Sequence, residues 1–212
     1  MMVPVPPIPV FVQSGHRQAL SDTVPPSSPS IAPSSPDDLW VFAYGSLMWR
    51  PDFDFVERVP GLLRGVHRAL CVYSTRYRGT PEKPGVVLGL DHGGSCQGIV
   101  FRVASERVAA TRAYLTEREM VNRVYREAMR PVRLVDGRTV EALAYIVDRN
   151  HRQYARGLDR AHLLELIRHG HGLGGPCRDY VLNTLASLRE IGIDDHALAW
   201  LNQALAEESP PE

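Results

Sequence analysis

The chain has 212 residues, 44% of them hydrophobic, and its 24 Lys and Arg balance its 24 Asp and Glu. That is enough apolar material for one buried core. The zero formal charge gives no whole-molecule electrostatic reason to expect nucleic acid or an anionic membrane as a partner. No run approaches the roughly 18 apolar residues of a membrane-spanning helix.

The three cysteines, Cys71, Cys96 and Cys177, match neither a disulfide framework nor a CxxC zinc pattern, so a reducing cytoplasm is the expected setting. Residues 1–37 hold nine of the 17 prolines and seven serines, with almost no charge before Arg17. Proline removes backbone donors and large apolar groups are few, so this stretch is expected to be a disordered leader. Its start, MMVPVPPIPVFV, lacks a basic n-region, and prolines interrupt what would be the apolar region of a signal peptide. A single folded domain is expected over 38–208.

Leu39–Tyr44 reads as a buried strand. Val66–Tyr73 alternates roughly and reads as a second, running into a Gly- and Pro-rich loop over Arg76–Gly85. Val86–Leu90 and Gln97–Val103 are expected to form a hairpin around Asp91-His92-Gly93-Gly94. Ser105 is the expected N-cap of a helix reaching about Met120, with Glu106 in its first turn. Tyr125–Leu134 and Thr139–Val147 are strand-like and joined by the hairpin dipeptide Asp136-Gly137. Helices follow over Arg160–His169, capped by Asp159 and stopped by Gly170, then over Asp179–Glu190 and Asp194–Glu207. Strands and helices do not alternate, which disfavours a doubly wound sheet. The expected class is α+β, with a small, mixed, mostly antiparallel β-barrel and flanking helices.

Two features carry chemistry. The stretch VFAYGSLMW ends an apolar strand in Gly45-Ser46, a pair that can turn sharply and leave consecutive N–H groups aimed at a carboxylate or oxyanion. An ordinary tight turn is the alternative. Val108, Leu115 and Glu119 share one face of the following helix, so Glu119 continues an apolar stripe as a carboxylate. Burial there raises its pKa toward the range of a general acid or base. The alternative is an ion pair with Arg112, Arg118 or Arg123. Glu117 lies on another face and reads as solvated.

His169-Gly170-His171 has no carboxylate or cysteine at metal-ligand spacing and reads as a helix end. Gly170–Gly175 lacks the strand and the GK[ST] of a phosphate loop. Cys71 reads as a packing residue rather than a nucleophile.

Several segments in series carry a family resemblance: VFAYGSLMWRPDF (Val41–Phe53), YRGTPEKPG (Tyr77–Gly85), VVLGL (Val86–Leu90), GIVFRV (Gly98–Val103), YLTERE (Tyr114–Glu119) and GGPCRDYVLNTL (Gly174–Leu185). Over about residues 38–190 the chain resembles the ChaC-type γ-glutamylcyclotransferase family, the glutathione-degrading branch of the γ-glutamylcyclotransferase-like fold. The resemblance implies a mixed barrel with flanking helices, no metal or cofactor, and a small γ-glutamyl substrate.

It further implies that Val41, Phe42, Ala43, Tyr44, Gly45, Ser46 and Leu47 bind the γ-glutamyl group, largely through main-chain atoms. Glu119 is then the general acid/base, Tyr180 lies near the substrate, and Arg78 is a contact. Ala43 departs from the glycine that relatives often carry there. Two alternatives stay open: a cyclotransferase for other γ-glutamyl amino acids or amines, and a non-catalytic small-molecule-binding regulator.

Overall fold

Five apolar residues, Leu39–Ala43, form β1, and each is buried. A strand without polar alternation needs cover on both faces. It is hydrogen-bonded antiparallel to β3 (Gly85–Val103) and parallel to β5 (Thr139–Val147). β2 (Glu57–Ser74) and β4 (Tyr125–Leu134) complete a closed barrel in the order β1-β3-β2-β4-β5. This computed structural model describes residues 35–120 and 122–206. The expected leader up to residue 34 and the expected helix end at Glu207 lie outside the described residues.

The middle of the barrel differs from the expectation. Val86–Leu90 and Gln97–Val103 do not pair with each other; both belong to the single strand β3, which pairs with β2 along its length. Gly93 and Gly94 have φ of 98° and 72°, and opposite them Gly65 has φ of 84°, where the register shifts between Arg64 and Val66. Glycine supplies these left-handed backbone angles without Cβ strain, so the strands bulge and continue instead of reversing. The true hairpin connection is the loop at 75–84, and the expected strand at Val66–Tyr73 is the second half of β2.

α1 (Val108–Glu119) follows a 3-10 turn at Ser105–Arg107. Ser105 is not the expected side-chain cap. Its N–H is held by Asp38 Oδ1 at 3.1 Å, and its hydroxyl donates to Glu106 Oε2 at 3.3 Å. α2 (Arg160–His169) starts as expected, with Asp159 Oδ1 accepting from His162 N–H at 2.8 Å, and ends at Gly170. α3 (Cys177–Glu190) begins two residues before the expected Asp179, and α4 (His196–Ala206) begins two after Asp194. A two-strand ribbon, β6 (His171–Gly172) and β7 (Gly175–Pro176), links α2 to α3. Among the described residues no helix is long and apolar enough to cross a membrane.

Buried arginines brace the barrel. Arg102 of β3 pairs with Asp38 at 2.9 Å and Glu57 at 3.0 Å, next to the start of β1. Arg68 of β2 does the equivalent at the other end of β1, where the candidate site lies.

Candidate active site

Beyond β1 the chain turns at Gly45 into a single 3-10 turn, Ser46–Met48. Met48 N–H donates to Gly45 O at 2.8 Å, and Arg50 N–H donates to Ser46 O at 2.9 Å. The first N–H groups of such a turn have no acceptor inside it. Val41, Phe42, Ala43, Tyr44 and Leu47 are buried, so what this stretch offers a small molecule is mainly main chain. A Cβ built on Gly45 meets Leu88 Cδ1 at 3.6 Å and the Tyr180 hydroxyl at 3.9 Å, which places Tyr180 over the turn.

Arg68 fixes the strand end from behind. Its Nε donates to Tyr44 O at 2.6 Å and a terminal nitrogen donates to Gln97 O at 2.6 Å. Its other terminal nitrogen pairs with Asp195 Oδ2 at 2.5 Å. With the Arg68 side chain 1% exposed, the charge is tolerated only because every face of the guanidinium has a partner.

Glu119 is the last residue of α1. Leu115 is fully buried, Thr111 is buried and Val108 packs half-buried against the core, so the stripe read from spacing exists. Glu117 is exposed, as expected. The Glu119 side chain is 17% exposed, and burial pushes its carboxyl above the usual carboxylate range, with the Arg118 cation pulling the other way.

Both sequence readings of Glu119 therefore hold in part: it is buried, and it has an arginine partner. That partner is Arg118, whose Nε lies 3.4 Å from Glu119 Oε1. Arg112 instead faces Glu127 at 4.0 Å. Arg118 also donates to Ser46 Oγ at 2.9 Å and to Arg50 O at 2.9 Å, so the end of α1 is tied directly to the turn after β1.

Four phenols, Tyr44, Tyr125, Tyr145 and Tyr180, lie within electrostatic reach of Glu119. Tyr44, Tyr125 and Tyr180 all have raised pKa values, chiefly from burial and partly from the Glu119 charge, with Tyr180 pushed up to about 12. Tyr125 O–H donates to Leu88 O at 2.7 Å and is also hydrogen-bonded to the Tyr44 hydroxyl. Leu88 N–H donates to the Tyr180 oxygen at 3.2 Å. Each phenol thus stays protonated at neutral pH.

Arg78 reaches the site indirectly. Its guanidinium donates to the carbonyls of Gly174 and Pro176 and sits 5.4 Å from the Tyr180 ring centroid. It pins the ribbon between α2 and α3 and backs the Tyr180 ring. The glycines of the Gly170–Gly175 stretch, which lacks the signals of a phosphate loop, serve this packing. A Cβ on Gly170 falls 2.6 Å from Arg78 O, and one on Gly172 falls 2.5 Å from Arg76 O.

His169 pairs with Glu165 at 3.1 Å at the end of α2. Cys71 is buried, with its thiol pushed up to about 12, consistent with packing rather than nucleophilic attack. The sequence does not single out Tyr125 or Arg68, and it offers Arg118 only as one of three candidate partners of Glu119. The RE dipeptide ending YLTERE was the available signal for Arg118. The partners of Tyr125 and Arg68 are 37 and up to 127 residues away, and local spacing does not encode them.

The profile of the family described as ChaC-like protein matches residues 39–208. A glutathione-specific γ-glutamylcyclotransferase of Escherichia coli is 35% identical over 165 residues, covering 77% of this chain and 71% of that one. A glutathione-specific γ-glutamylcyclotransferase 1 of Homo sapiens is 36% identical over 115 residues, covering 50% of this chain and 52% of the human protein. The crystal structure of a yeast γ-glutamyl cyclotransferase specific to glutathione superposes with a TM-score of 0.74 at 21% identity, covering 80% of this chain and 96% of that one, a likeness of fold. With a matched profile that runs from the first strand to the last helix, the chain belongs to the ChaC-like protein family.

Proposed function

We propose that this chain is a cytoplasmic glutathione-specific γ-glutamylcyclotransferase, a lyase that converts glutathione to 5-oxoproline and cysteinylglycine without a cofactor. The observation that carries the reading is the union of two sequence-distant parts. A buried carboxyl of raised pKa, Glu119, is joined through Arg118 to the Gly45–Ser46 turn, with the Tyr180 hydroxyl over the same turn. Relatives named for the same activity support it.

The substrate brings its own nucleophile, because the α-amine of a γ-glutamyl group can attack its γ-carbonyl carbon and close a five-membered lactam. The protein has to hold the chain folded back on itself. Such positioning contributes up to roughly 7–11 kcal/mol toward the barrier. The Gly45–Leu47 main chain binds the γ-glutamyl end. Glu119 takes a proton from the α-ammonium, the new C–N bond forms, and the carbonyl oxygen gains negative charge. Tyr180, whose oxygen already accepts from Leu88 N–H, has its own proton available for that oxygen. The old C–N bond then breaks as Glu119 returns its proton to the departing amine, and the second proton of the ring nitrogen passes through the same carboxylate to that amine, which leaves as its ammonium form. One carboxyl of intermediate pKa serves both transfers, and no water is consumed.

The test is a panel of glutathione, γ-glutamyl-alanine and γ-glutamyl-lysine, scored for 5-oxoproline. Glutathione is expected to be turned over far faster than the other two. Preference for another member shifts the leaving-group assignment, and no 5-oxoproline from any of them removes the activity.

A further inference from the structure

Outside the groups assigned above, the side chain that joins most of the site together is Arg118. It lies on α1 immediately before Glu119, and its side chain is 20% exposed. One terminal nitrogen donates to Ser46 Oγ at 2.9 Å and the other to Arg50 O at 2.9 Å, while Nε faces Glu119 Oε1 at 3.4 Å. Asp52 Oδ2 lies 3.5 Å away, and the Tyr114 hydroxyl, one helical turn back, accepts from the same guanidinium. A planar fork with several fixed donors can satisfy such divergent partners together, and a flexible ammonium cannot.

We propose that Arg118 is the positioning residue of this site, its guanidinium holding the Glu119 carboxylate and the Gly45–Ser46 turn in one fixed relation. The role rests on the activity proposed above. Arg118 touches Glu119 and the turn, and acts on the reaction through them.

The surroundings give it a second consequence. Glu119 is faced by Tyr44 just beyond β1, Tyr125 from β4, Tyr145 from β5 and Tyr180 from α3, all neutral at working pH. Arg118 is the cation that offsets the burial of the carboxyl, with Asp52 as the nearest anion on its far side. Without Arg118 the carboxyl protonates at higher pH, and the acid limb of the rate profile moves with it.

The experiment compares 5-oxoproline release from glutathione by wild type, Glu119→Gln, Arg118→Gln, Arg118→Lys and the surface control Arg107→Gln, each with a thermal melt. Arg118→Gln is expected to lose about 100-fold in kcat, the scale of a small misplacement of reacting groups, with KM changed by less than about threefold. Its acid limb should shift upward, and added ethylguanidinium should restore part of the rate. Arg118→Lys should keep the charge, lose the fork and fall in between, while Arg107→Gln matches wild type. If Arg118→Gln does not fold, the Arg118→Lys profile and the Glu119 titration read by carbon-13 NMR decide. An unmoved titration together with wild-type kcat overturns the role. An active wild type with an unaffected Arg118→Gln overturns the positioning role alone, whereas an inactive wild type overturns the activity and this role with it.

Discussion

Tyr125 and Tyr180 grip the two ends of one residue: Tyr125 O–H donates to the Leu88 carbonyl at 2.7 Å, and Leu88 N–H donates to the Tyr180 oxygen at 3.2 Å. The direction of each bond separates their roles. The Tyr125 proton is committed to a carbonyl, whereas among the described residues no acceptor takes the Tyr180 proton.

Tyr125→Phe is therefore expected to cost stability, about 1–3 kcal/mol for a buried carbonyl left without its donor. Tyr180→Phe is expected to cost turnover, about 100-fold or more if the hydroxyl stabilises the oxyanion, with a smaller change in stability. Urea denaturation beside steady-state kinetics on both variants checks the split. Equal and small effects of the two substitutions on kcat remove the donor role of Tyr180.

Glu119→Gln should make a more stable and nearly inactive protein at neutral pH. The folded-state pKa of Glu119 lies above its ordinary 4.5, so ionising it disfavours the folded state. That penalty is complete above the folded-state pKa and vanishes as pH falls below 4.5. The variant should melt above wild type at pH 7, and the two melting curves should converge toward pH 4. A lower melting temperature for the variant at pH 7 contradicts the burial argument.

Asp195 lies in the connection between α3 and α4, yet it neutralises the Arg68 guanidinium that holds the Tyr44 carbonyl. Asp195→Ala leaves that cation buried and unpaired, a change that costs about 3–5 kcal/mol in comparable sites. Guanidinium chloride unfolding is the check. A loss below about 1 kcal/mol shows that the pair behaves as a surface bridge.

Gly98 of β3 faces the end of β1, where an added Cβ falls 2.3 Å from Ala43 O and 2.8 Å from Phe42 Cζ. The first of these is backbone and cannot swing aside. Gly98→Ala should therefore displace the strand that delivers the Gly45 turn, lowering both melting temperature and activity. Wild-type values for both contradict the close approach.

The sequence was most legible where structure is set locally. Asp159 and Gly170 bracket α2, and Asp136-Gly137 turns β4 into β5, because caps and tight turns depend on residues within a few positions. The face carrying Glu119 was legible for the same reason, since helical spacing alone put it in line with Leu115. The reading failed at Gly93-Gly94, which looks like a turn in isolation and becomes a bulge only because Gly65 lies opposite. Local sequence assigns no role to Arg68 or Arg102. Their burial depends on Asp195 and on Asp38 with Glu57, partners that only the closed barrel brings within reach.

A crystal structure of the protein with 5-oxoproline bound tests the core of this account most directly. The lactam ring is expected between the Gly45–Ser46 amides and the Glu119 carboxyl, with its ring nitrogen toward Glu119 and its ring carbonyl toward Tyr180. A ring bound elsewhere on the barrel, or bound at the turn with Glu119 turned away from it, contradicts the assignment.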